Sequence, residues 1–328
     1  MHAVYSVTTL VSRLTAITVL SAGAACAARE PRPVAAPAPS VDIAALWQEP
    51  ADIQTRDLLH GAGGKEFAPD PAVPYTFVEA DTTGYSPGYD VKGPDGTLWS
   101  VKLGPEAQPE VVSSRLLWAI GYHQPSVYYL PRWTLAGQDA GPKEEGRFRR
   151  DPPEHEVVGE WSWYENPFVG QRPFNGLLVA NLLLNNWDWK ESNNKVIGRR
   201  DASGPRRVYI VRDIGASLGK TTFASWFQKL ALRGFGQGTR NDLEGYESQQ
   251  LITRVEGSRI EFDYKGKYGR LVDMLTIPDV VWTCRLFARL SDRQLDDAFR
   301  AAGYSDDERA RYVAKVKSKI AEGLALDQ

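Results

Sequence analysis

An almost continuous apolar segment, PFNGLLVANLLLNNW at residues 173–187, constrains the fold more than any other stretch of the chain. Its proline stands at the start, where a first helical turn tolerates the missing N–H. Apolar residues on nearly every side predict a helix that is buried over most of its surface. Such a helix needs other elements to cover it, so the segment predicts a substantial hydrophobic core around it.

The composition of the whole chain is that of a globular protein. Of its 328 residues, 42% are hydrophobic and 24% are charged, which excludes an intrinsically disordered chain. The formal net charge is −2, so no overall basic field attracts nucleic acid or an anionic membrane surface. We therefore expect no nucleic-acid partner.

The beginning of the chain differs from the rest in charge and hydropathy. Residues 1–27 contain a single Lys or Arg, Arg13, and a short apolar run at 14–25. The sequence ACA at 25–27 is a small-x-small cleavage site, so residues 1–27 are predicted to be a signal peptide. The protein is then expected to act outside the cytoplasm, in the periplasm or secreted. Cys26 leaves an alternative open, a lipid anchor, which would be the one expected contact with a membrane.

After the signal, the sequence divides into an extension and two halves. Residues 28–72 include the Pro/Ala-rich REPRPVAAPAPS and are predicted to be a linker and N-terminal extension. Regular structure is expected to begin near residue 75. Residues 73–172 alternate as short strands around one helix, whereas residues 173–328 are mainly helical.

Several elements can be placed within these halves. Val112, Leu116 and Ile120 recur at a spacing of four, which predicts a helix over 106–121. The polar stretch 136–156 is expected to be a long loop that contains the mixed-charge GRFRR. The other expected elements are strands in YTFVEA (75–80), GYDVKGP (88–94) and TLWSVKLG (97–104), a strand pair at VIGRR and RRVYIVRD, a hairpin at 251–264, and helices behind the capping boxes Ser291/Gln294 and Ser305/Glu308.

The loop NNWDWKESNN, directly after the apolar helix, carries the strongest chemical pattern. Asp188, Lys190 and Asn193 stand in the order D-x-K-x-x-N. An aspartate at the start of such a loop can orient and deprotonate an attacking hydroxyl, and a lysine two residues later can neutralise a transferring phosphoryl group. An asparagine three residues further on offers an amide oxygen to Mg²⁺. This spacing indicates phosphoryl transfer.

Three more residues complete a set around this loop. Asp213 follows the strand VYIVR in the sequence DIG, where a second metal ligand would stand. Lys102 ends the strand LWSVK, the place of a lysine that binds the α- and β-phosphates. Glu110, in the next helix, is expected to pair with Lys102, and Glu106 is an alternative partner.

At these residues the chain resembles the protein-kinase-like superfamily, and most nearly its divergent members: the HipA-type toxin kinases, the phosphatidylinositol-kinase relatives and the secretory-pathway kinases. The resemblance implies an α+β fold of two lobes. A small antiparallel-sheet N-lobe with one helix, together with a hinge, would span residues 73–172, and a larger, mainly helical C-lobe would span 173–328. It also implies ATP and Mg²⁺ as cofactors, bound in the cleft between the lobes.

The resemblance also implies a role for each matched residue. Asp188 would be the catalytic base and Lys190 would steady the transferred group. Lys102 and Glu110 would order the phosphates, and Asn193 and Asp213 would bind the metal. The resemblance therefore implies an ATP-dependent atypical kinase, with a protein or small-molecule hydroxyl as its acceptor.

Some positions depart from the pattern of conventional kinases. No G-x-G-x-x-G precedes the lysine strand, and the segment TTGYSPG at 82–88 stands in its place. Gly84 and Gly88 in this segment are expected to let backbone N–H groups approach the phosphates. Asn186 and Trp187 replace the usual dipeptide before the aspartate, and Asn194 is an alternative to its neighbour as the metal ligand.

The segment GASLGKT, residues 215–221, matches the letters of two other motifs incompletely. Gly215 and Gly219 enclose one residue too few for a Walker A loop. Ser217 stands in a G-x-S-x-G, but a hydrolase requires its catalytic histidine later in the chain. The last histidine is His155, so the hydrolase interpretation fails.

Two other functions remain open from the sequence. Little ATP is present outside the cytoplasm, which favours a catalytically silent, kinase-like binding module of the cell envelope. A phosphotransferase for a small molecule or lipid would use every residue named above and would differ only in its acceptor. Nucleotide binding without turnover, or no nucleotide binding at all, distinguishes the first alternative, and identification of the acceptor distinguishes the second.

Overall fold

The computed structural model describes a large part of the chain, namely residues 41–82, 86–150, 152, 155–201, 204–221, 238–266 and 268–327. The predicted signal peptide, the alternative anchor at Cys26 and the predicted phosphate-binding Gly84 lie outside these residues. Those three predictions therefore stay predictions.

A seven-stranded sheet forms the first half of the described chain. Its strands are β1 (Pro74–Asp81), β2 (Gly88–Lys92), β3 (Leu98–Lys102), β4 (Ser126–Leu130), β5 (Trp133–Ala136), β6 (Gly141–Lys143) and β7 (Gly146–Arg150). Their order across the sheet is β4-β7-β3-β2-β1-β5-β6, and β1 pairs with β5 in parallel while the other neighbours are antiparallel. The three strands predicted at 75–80, 88–94 and 97–104 are confirmed.

The stretch 136–156 is not the long loop that the sequence predicted. It contains β6 and β7, and GRFRR is itself β7, an inner strand between β3 and β4. Phe148 in the middle of β7 is fully buried in the core of the sheet. Arg147 and Arg149 alternate with it and are also buried, because carboxylates lie beside them and offset the loss of water.

The predicted helix after the lysine strand is α1 (Ala107–Ala119). Almost every residue of α1 is buried, and its apolar residues join the larger hydrophobic core of the protein. Gly121 follows with a φ of 105°, a left-handed conformation that glycine adopts without strain and that ends the helix. The position of α1 directly after β3 brings its first turn next to Lys102.

The second half is mainly helical, as predicted. Its helices are α2 (Arg172–Leu183), α3 (Leu243–Glu247), α4 (Gly269–Val272), α5 (Ile277–Phe287), α6 (Asp292–Arg300) and α7 (Asp306–Leu324). The apolar helix α2 packs against α5 and α7, and nine of its twelve residues are buried. The core that the apolar segment predicted is therefore built around α2.

Two small β-structures accompany these helices. Strands β8 (Glu156–Glu160), β9 (Asn194–Asp201) and β10 (Gly204–Val211) form an antiparallel sheet in the order β10-β9-β8. Strands β11 (Ile252–Glu256) and β12 (Arg259–Phe262) form the predicted hairpin. In the three-stranded sheet, β9 follows the loop with Asp188 and β10 precedes Asp213. The antiparallel pair β9–β10 therefore holds both functional segments at one end of that sheet.

Local signals in the C-terminal part were reliable. Both predicted capping boxes are present, with Ser291 and Ser305 at the N-caps of α6 and α7. Cys284 lies fully buried in α5, where burial raises the pKa of its thiol to about 12. Cys284 therefore acts as a small buried hydrophobic residue, because a thiol with this pKa carries almost no thiolate near neutral pH.

Folded structure begins in the N-terminal extension, before the start near residue 75 that the sequence predicted. Short 3₁₀ helices form at Ile43–Ala45 and Gly61–Gly63, and Leu46, Ile53 and Leu58 are buried in the larger core. The Pro/Ala-rich composition ends at residue 40, and the apolar residues that follow are too widely spaced to show a period. Sequence patterns therefore do not detect this packing.

The α+β class with a sheet-rich first lobe and a mainly helical second lobe is confirmed. The first lobe has its own small core under the sheet, and α1 belongs to the larger core of the second lobe. The sheet is larger than expected, with seven strands and one parallel pair. Among the residues that the structure describes, we find no helix with both the length and the apolar character needed to cross a membrane.

Candidate active site

A polar cleft brings most of the predicted site residues together. It has a volume of about 460 Å³ and lies between β3 and β7 on one side and the segments around residues 188–193 and 213 on the other. Six predicted residues line it: Gly88, Lys102, Asp188, Lys190, Asn193 and Asp213. Glu110 lies behind Lys102, and its side chain is almost completely buried. The assigned roles remain predictions, but the residues occupy one site.

Lys102 is the centre of the charged network in this cleft. Its Nζ lies 2.9 Å from Glu110 Oε2 and 3.2 Å from Asp213 Oδ1. Burial disfavours the charge of Lys102, but Glu110 and Asp213 outweigh that effect and raise its pKa. The predicted pair with Glu110 is present, and the alternative partner Glu106 also approaches, at 3.6 Å.

Two arginines of β7 belong to the same network and were missed by the sequence analysis. Arg147 Nε lies 3.0 Å from Glu110 Oε1, and its Nη1 donates to the carbonyl oxygen of Ser100 at 3.0 Å. Arg149 Nη1 lies 3.5 Å from Asp213 Oδ1. The signal in the sequence was the alternation around one apolar residue, Phe148, which is typical of a strand with two faces.

Asp213 is held as a carboxylate at the end of β10. Burial alone would raise the pKa of Asp213, but Lys102, Arg149 and Arg147 hold it far below its ordinary value. Its φ of 55° is left-handed, a conformation that aspartate adopts more readily than most residues. This turn directs the chain away from the strand immediately after the functional residue.

The loop after α2 is fixed by its own hydrogen bonds. Asp188 Oδ2 lies 2.8 Å from Lys190 Nζ, and the amide nitrogen of Asn193 donates to the carbonyl oxygen of Asp188 at 3.3 Å. The backbone N–H of Arg212 donates to the carbonyl oxygen of Asn193 at 3.1 Å. This last bond brings Asn193 next to the Asp213 segment.

Asn194, the alternative metal ligand, does not line the cleft. Its side chain is fully buried, and its amide nitrogen donates to the carbonyl oxygen of Trp161 at 3.1 Å. Between the two neighbours, Asn193 is therefore the residue whose side chain can reach a ligand in the cleft.

A buried lysine supports the loop from below. Lys319 of α7 is fully buried, and its Nζ donates to Asn185 Oδ1 at 2.7 Å and to the carbonyl oxygen of Leu183 at 3.2 Å. Asn185 in turn donates to the carbonyl oxygen of Gly219 at 2.7 Å. This chain of bonds connects α7, the start of the Asp188 loop and the segment after Asp213.

The cleft has oxygen ligands suited to a hard divalent cation. Asp213 supplies an ionised carboxylate, and the amide nitrogen of Asn193 is engaged, which leaves the amide oxygen for a metal. Mg²⁺ typically uses one or two protein ligands and keeps waters or phosphate oxygens for the rest. Within the described residues, no cluster of three or more His, Cys, Asp or Glu side chains forms a dedicated metal site. The residues present therefore fit Mg²⁺ bound together with a phosphate ligand.

The segment GASLGKT is neither a Walker loop nor a nucleophile turn. Ser217 is fully buried, donates to the carbonyl oxygen of Ile214 and bonds Ser113 Oγ at 2.8 Å. The N–H groups of Leu218 and Lys220 donate within the protein, to Leu184 O and Thr239 Oγ1. Backbone donors that are already used cannot cradle a phosphate, so both alternative interpretations fail.

The sequence was compared with protein-family models and with curated proteins. No protein-family model matches it, and no curated protein matches it. Among solved structures, the crystal structure of the Helicobacter pylori proinflammatory kinase CtkA is similar to 78% of this chain and 98% of that chain, with 12% sequence identity and a TM-score of 0.46. Such a likeness concerns the fold alone. The order of elements described above, with Lys102 on β3 and the Asp188 loop after α2, agrees with the two-lobed α+β arrangement expected from the sequence.

Proposed function

We propose that the protein is a kinase-like phosphotransferase that moves a phosphoryl group from a Mg²⁺-bound nucleotide to a hydroxyl acceptor outside the cytoplasm. One observation carries this proposal: Lys102, paired with Glu110 and Asp213, shares one cleft with Asp188 and Asn193. A phosphate-binding cation, a metal-binding pair and a general base are the parts that phosphoryl transfer requires.

The reaction follows from the position of each group. The acceptor oxygen attacks the γ-phosphorus, the bond from that phosphorus to the bridging oxygen breaks, and the electron pair leaves with the nucleoside diphosphate. Asp188 receives the proton of the hydroxyl. Lys190 has a half-exposed side chain, so it can turn from Asp188 towards the transferred group as charge develops. Bound Mg²⁺, held by Asn193 and Asp213, would supply charge neutralisation at the phosphates.

We also propose that the protein is a divergent member of the kinase-like superfamily. The departures at Asn186 and Trp187 support a divergent kinase of the HipA-type, phosphatidylinositol-kinase or secretory-pathway kind. Both residues are committed to structure, since Asn186 Nδ2 donates to Asn181 Oδ1 at 2.7 Å and Trp187 Nε1 donates to the carbonyl oxygen of Thr239 at 2.9 Å. Neither is placed to bind a phosphorylated regulatory segment. Residues 1–27 support secretion as a signal peptide.

One observation favours the silent binding module as a second candidate. Asp213 Oδ1 already has Lys102, Arg149 and Arg147 within 3.9 Å. These cations neutralise the carboxylate and compete with a metal for it. A module that binds an anion without turnover would retain this network and would show no dependence on Mg²⁺.

Phosphoryl transfer from Mg-ATP, measured for the unmodified protein and for Asp188→Asn, distinguishes the two functions. We expect release or transfer of the γ-phosphate by the purified protein, and a loss of about 10²–10⁴-fold in Asp188→Asn, the usual contribution of a general base. Asp273→Asn is the control because Asp273 is exposed and away from the cleft. Equal activity in both variants would refute the role of Asp188, and nucleotide binding without any transfer would establish the binding module.

A further inference from the structure

We infer that the cleft recognises its phosphoryl donor through the phosphates and not through a base, so that it takes short inorganic polyphosphates such as tripolyphosphate as well as ATP. This inference rests on the proposed function and names its donor class. It is carried by the side chains that line the cleft.

The described lining of the cleft offers no surface on which a purine would stack. Its described residues include no aromatic side chain, and Val101 is the one aliphatic side chain among them. Val101 is itself buried in the core of the sheet. Cofactor sites that hold a base are lined mainly by apolar and aromatic residues. A purine in this cleft would meet charged and hydroxyl groups and would gain little.

The same lining is rich in groups that bind phosphate. Six cationic residues face four carboxylates in it: Lys102, Arg147, Arg149, Lys190, Lys195 and Arg212 against Asp81, Glu106, Asp188 and Asp213. Arginine presents a planar fork of donors that matches two phosphate oxygens at once. The cleft is therefore built for a ligand that is anionic along its length.

The contacts of Asp213 explain how phosphate would enter this network. Lys102 and Arg149 now use Asp213 Oδ1 as their anionic partner, at 3.2 Å and 3.5 Å. When that carboxylate binds a divalent cation, it shares its negative charge with the metal, and Lys102 and Arg149 lose part of the electrostatic compensation that it gives them. Phosphate oxygens of the donor can replace the carboxylate for both side chains.

The chemistry is balanced for an inorganic donor. The acceptor oxygen attacks a terminal phosphorus of tripolyphosphate, the bond to the bridging oxygen breaks, and pyrophosphate leaves with the electron pair. The acceptor proton passes to Asp188, as it does with ATP. No oxidant, reductant or further reactant is needed, and the donor requires no nucleoside.

Calorimetric titration of the purified protein with magnesium and four ligands tests the inference: tripolyphosphate, ATP, GTP and adenosine. We expect the first three to bind with Kd values within about fivefold of one another, and adenosine not to bind. Arg149→Gln should weaken tripolyphosphate and ATP binding equally, by about tenfold, as loss of a charge-assisted contact predicts. Arg293→Gln, at a highly exposed position of α6, should leave every Kd unchanged.

The outcomes distinguish failure of this inference from failure of the proposed function. Binding of ATP at least thirtyfold tighter than of tripolyphosphate, or a clear preference for ATP over GTP, would overturn this inference and leave the proposed function standing. Absence of binding by all four ligands, from protein that is folded by circular dichroism, would overturn both. If Arg149→Gln is not folded, Lys195→Met provides the same test from the opposite wall of the cleft, with the same expected loss for both donors.

Discussion

Glu110 shows how one buried carboxylate organises several cations. Its two oxygens lie 2.9 Å from Lys102 Nζ and 3.0 Å from Arg147 Nε, and its side chain has a relative exposure of 2%. Arg147 is buried and the side chain of Lys102 has a relative exposure of only 16%, so the desolvation of three charges is offset only while all three are present. Removing the carboxylate would leave two cations with one partner fewer.

We therefore expect Glu110→Gln to be strongly destabilising. Breaking a buried ion pair by removing one partner lowers the free energy of unfolding by about 3–5 kcal/mol. Glu79→Gln on the exposed part of β1 should change it by less than about 0.5 kcal/mol. Urea unfolding of the two variants and the unmodified protein measures both. A loss below about 1 kcal/mol in Glu110→Gln would contradict the central structural role of this residue.

The individual site residues were predictable because their chemistry restricts their type and spacing. Asp188, Lys190 and Asn193 stand within six residues, and the structure places all three at the cleft. Arg147 and Arg149 could not be assigned in the same way. Their partners, Glu110 and Asp213, are 37 and 64 residues away in the sequence, and no local pattern encodes such a pairing.

At the scale of elements, α7 supports the site through the buried side chain of Lys319. Lys319 reaches from α7 to the end of α2 and to Asn185, which begins the Asp188 loop. It also lies 4.4 Å from the ring centre of Tyr246. Burial, together with a smaller effect of Lys315, lowers the pKa of Lys319 to about 7, while Glu322 and Asp263 oppose the shift. The amine is therefore half neutral near physiological pH.

This shift predicts a pH dependence with a definite sign. An unfolded lysine keeps its proton up to its ordinary pKa, whereas folded Lys319 releases it above about pH 7. The unfolded state then binds more protons between these values, so stability rises with pH in this window and is lost as pH falls through 7. Relative to Lys319→Met, the protein should gain about 2 kcal/mol of unfolding free energy between about pH 7 and 9.

Urea unfolding at several pH values, compared between the protein and Lys319→Met, measures this difference. The comparison with the variant removes the contribution of the buried tyrosines, which both proteins share. Lys317→Met is the control because Lys317 is half exposed on the same helix. A difference that is constant from pH 7 to 9 would show that Lys319 remains protonated in the folded protein.

Elements with a strong period or a cap could be predicted, and elements stabilised by distant contacts could not. The fourfold spacing in α1, the apolar body of α2 and the boxes at Ser291 and Ser305 are local signals, and each marks a helix in the structure. Strand β7 carries three arginines in five residues, a composition that is typical of a solvated loop and that led to the wrong prediction. It is buried because of carboxylates on other elements, which a single sequence does not place.

At the scale of the whole molecule, the cleft is held together by contacts between distant segments. Arg240 forms an ion pair with Glu106 at the start of α1 and stacks over Trp187, with 4.8 Å to the ring centre. Gly215 lies so close to Glu106 that an added Cβ would stand 2.5 Å from its carbonyl oxygen. The segment after Asp213 and the segment at 238–242 therefore both rest on the N-terminal end of α1.

This architecture explains why the order of motifs indicated the fold although no family model matches the chain. Lys102 and Asp213 are 111 residues apart and meet at 3.2 Å, as the expected two-lobed arrangement requires. The scaffold between them was predicted less well. Its folded extension at 41–72 and the additional strands β5 and β6 carry no motif that would identify them.

The most direct test of the account is a thermal-shift titration of the purified protein with Mg-ATP, run beside Asp213→Asn. Asp139→Asn is a matched control, since Asp139 is also an aspartate with a φ of 55° but lies exposed in the turn between β5 and β6. A ligand at ten times its Kd adds about 1.4 kcal/mol, a rise in the melting midpoint of about 2–4 °C.

We predict a magnesium-dependent rise of this size in the protein and in Asp139→Asn, and its loss in Asp213→Asn. Such a result would establish a metal-dependent phosphate cleft around Asp213. No rise with Mg-ATP or Mg-tripolyphosphate in the folded protein, or a rise that Asp213→Asn retains in full, would contradict the proposed phosphotransferase site.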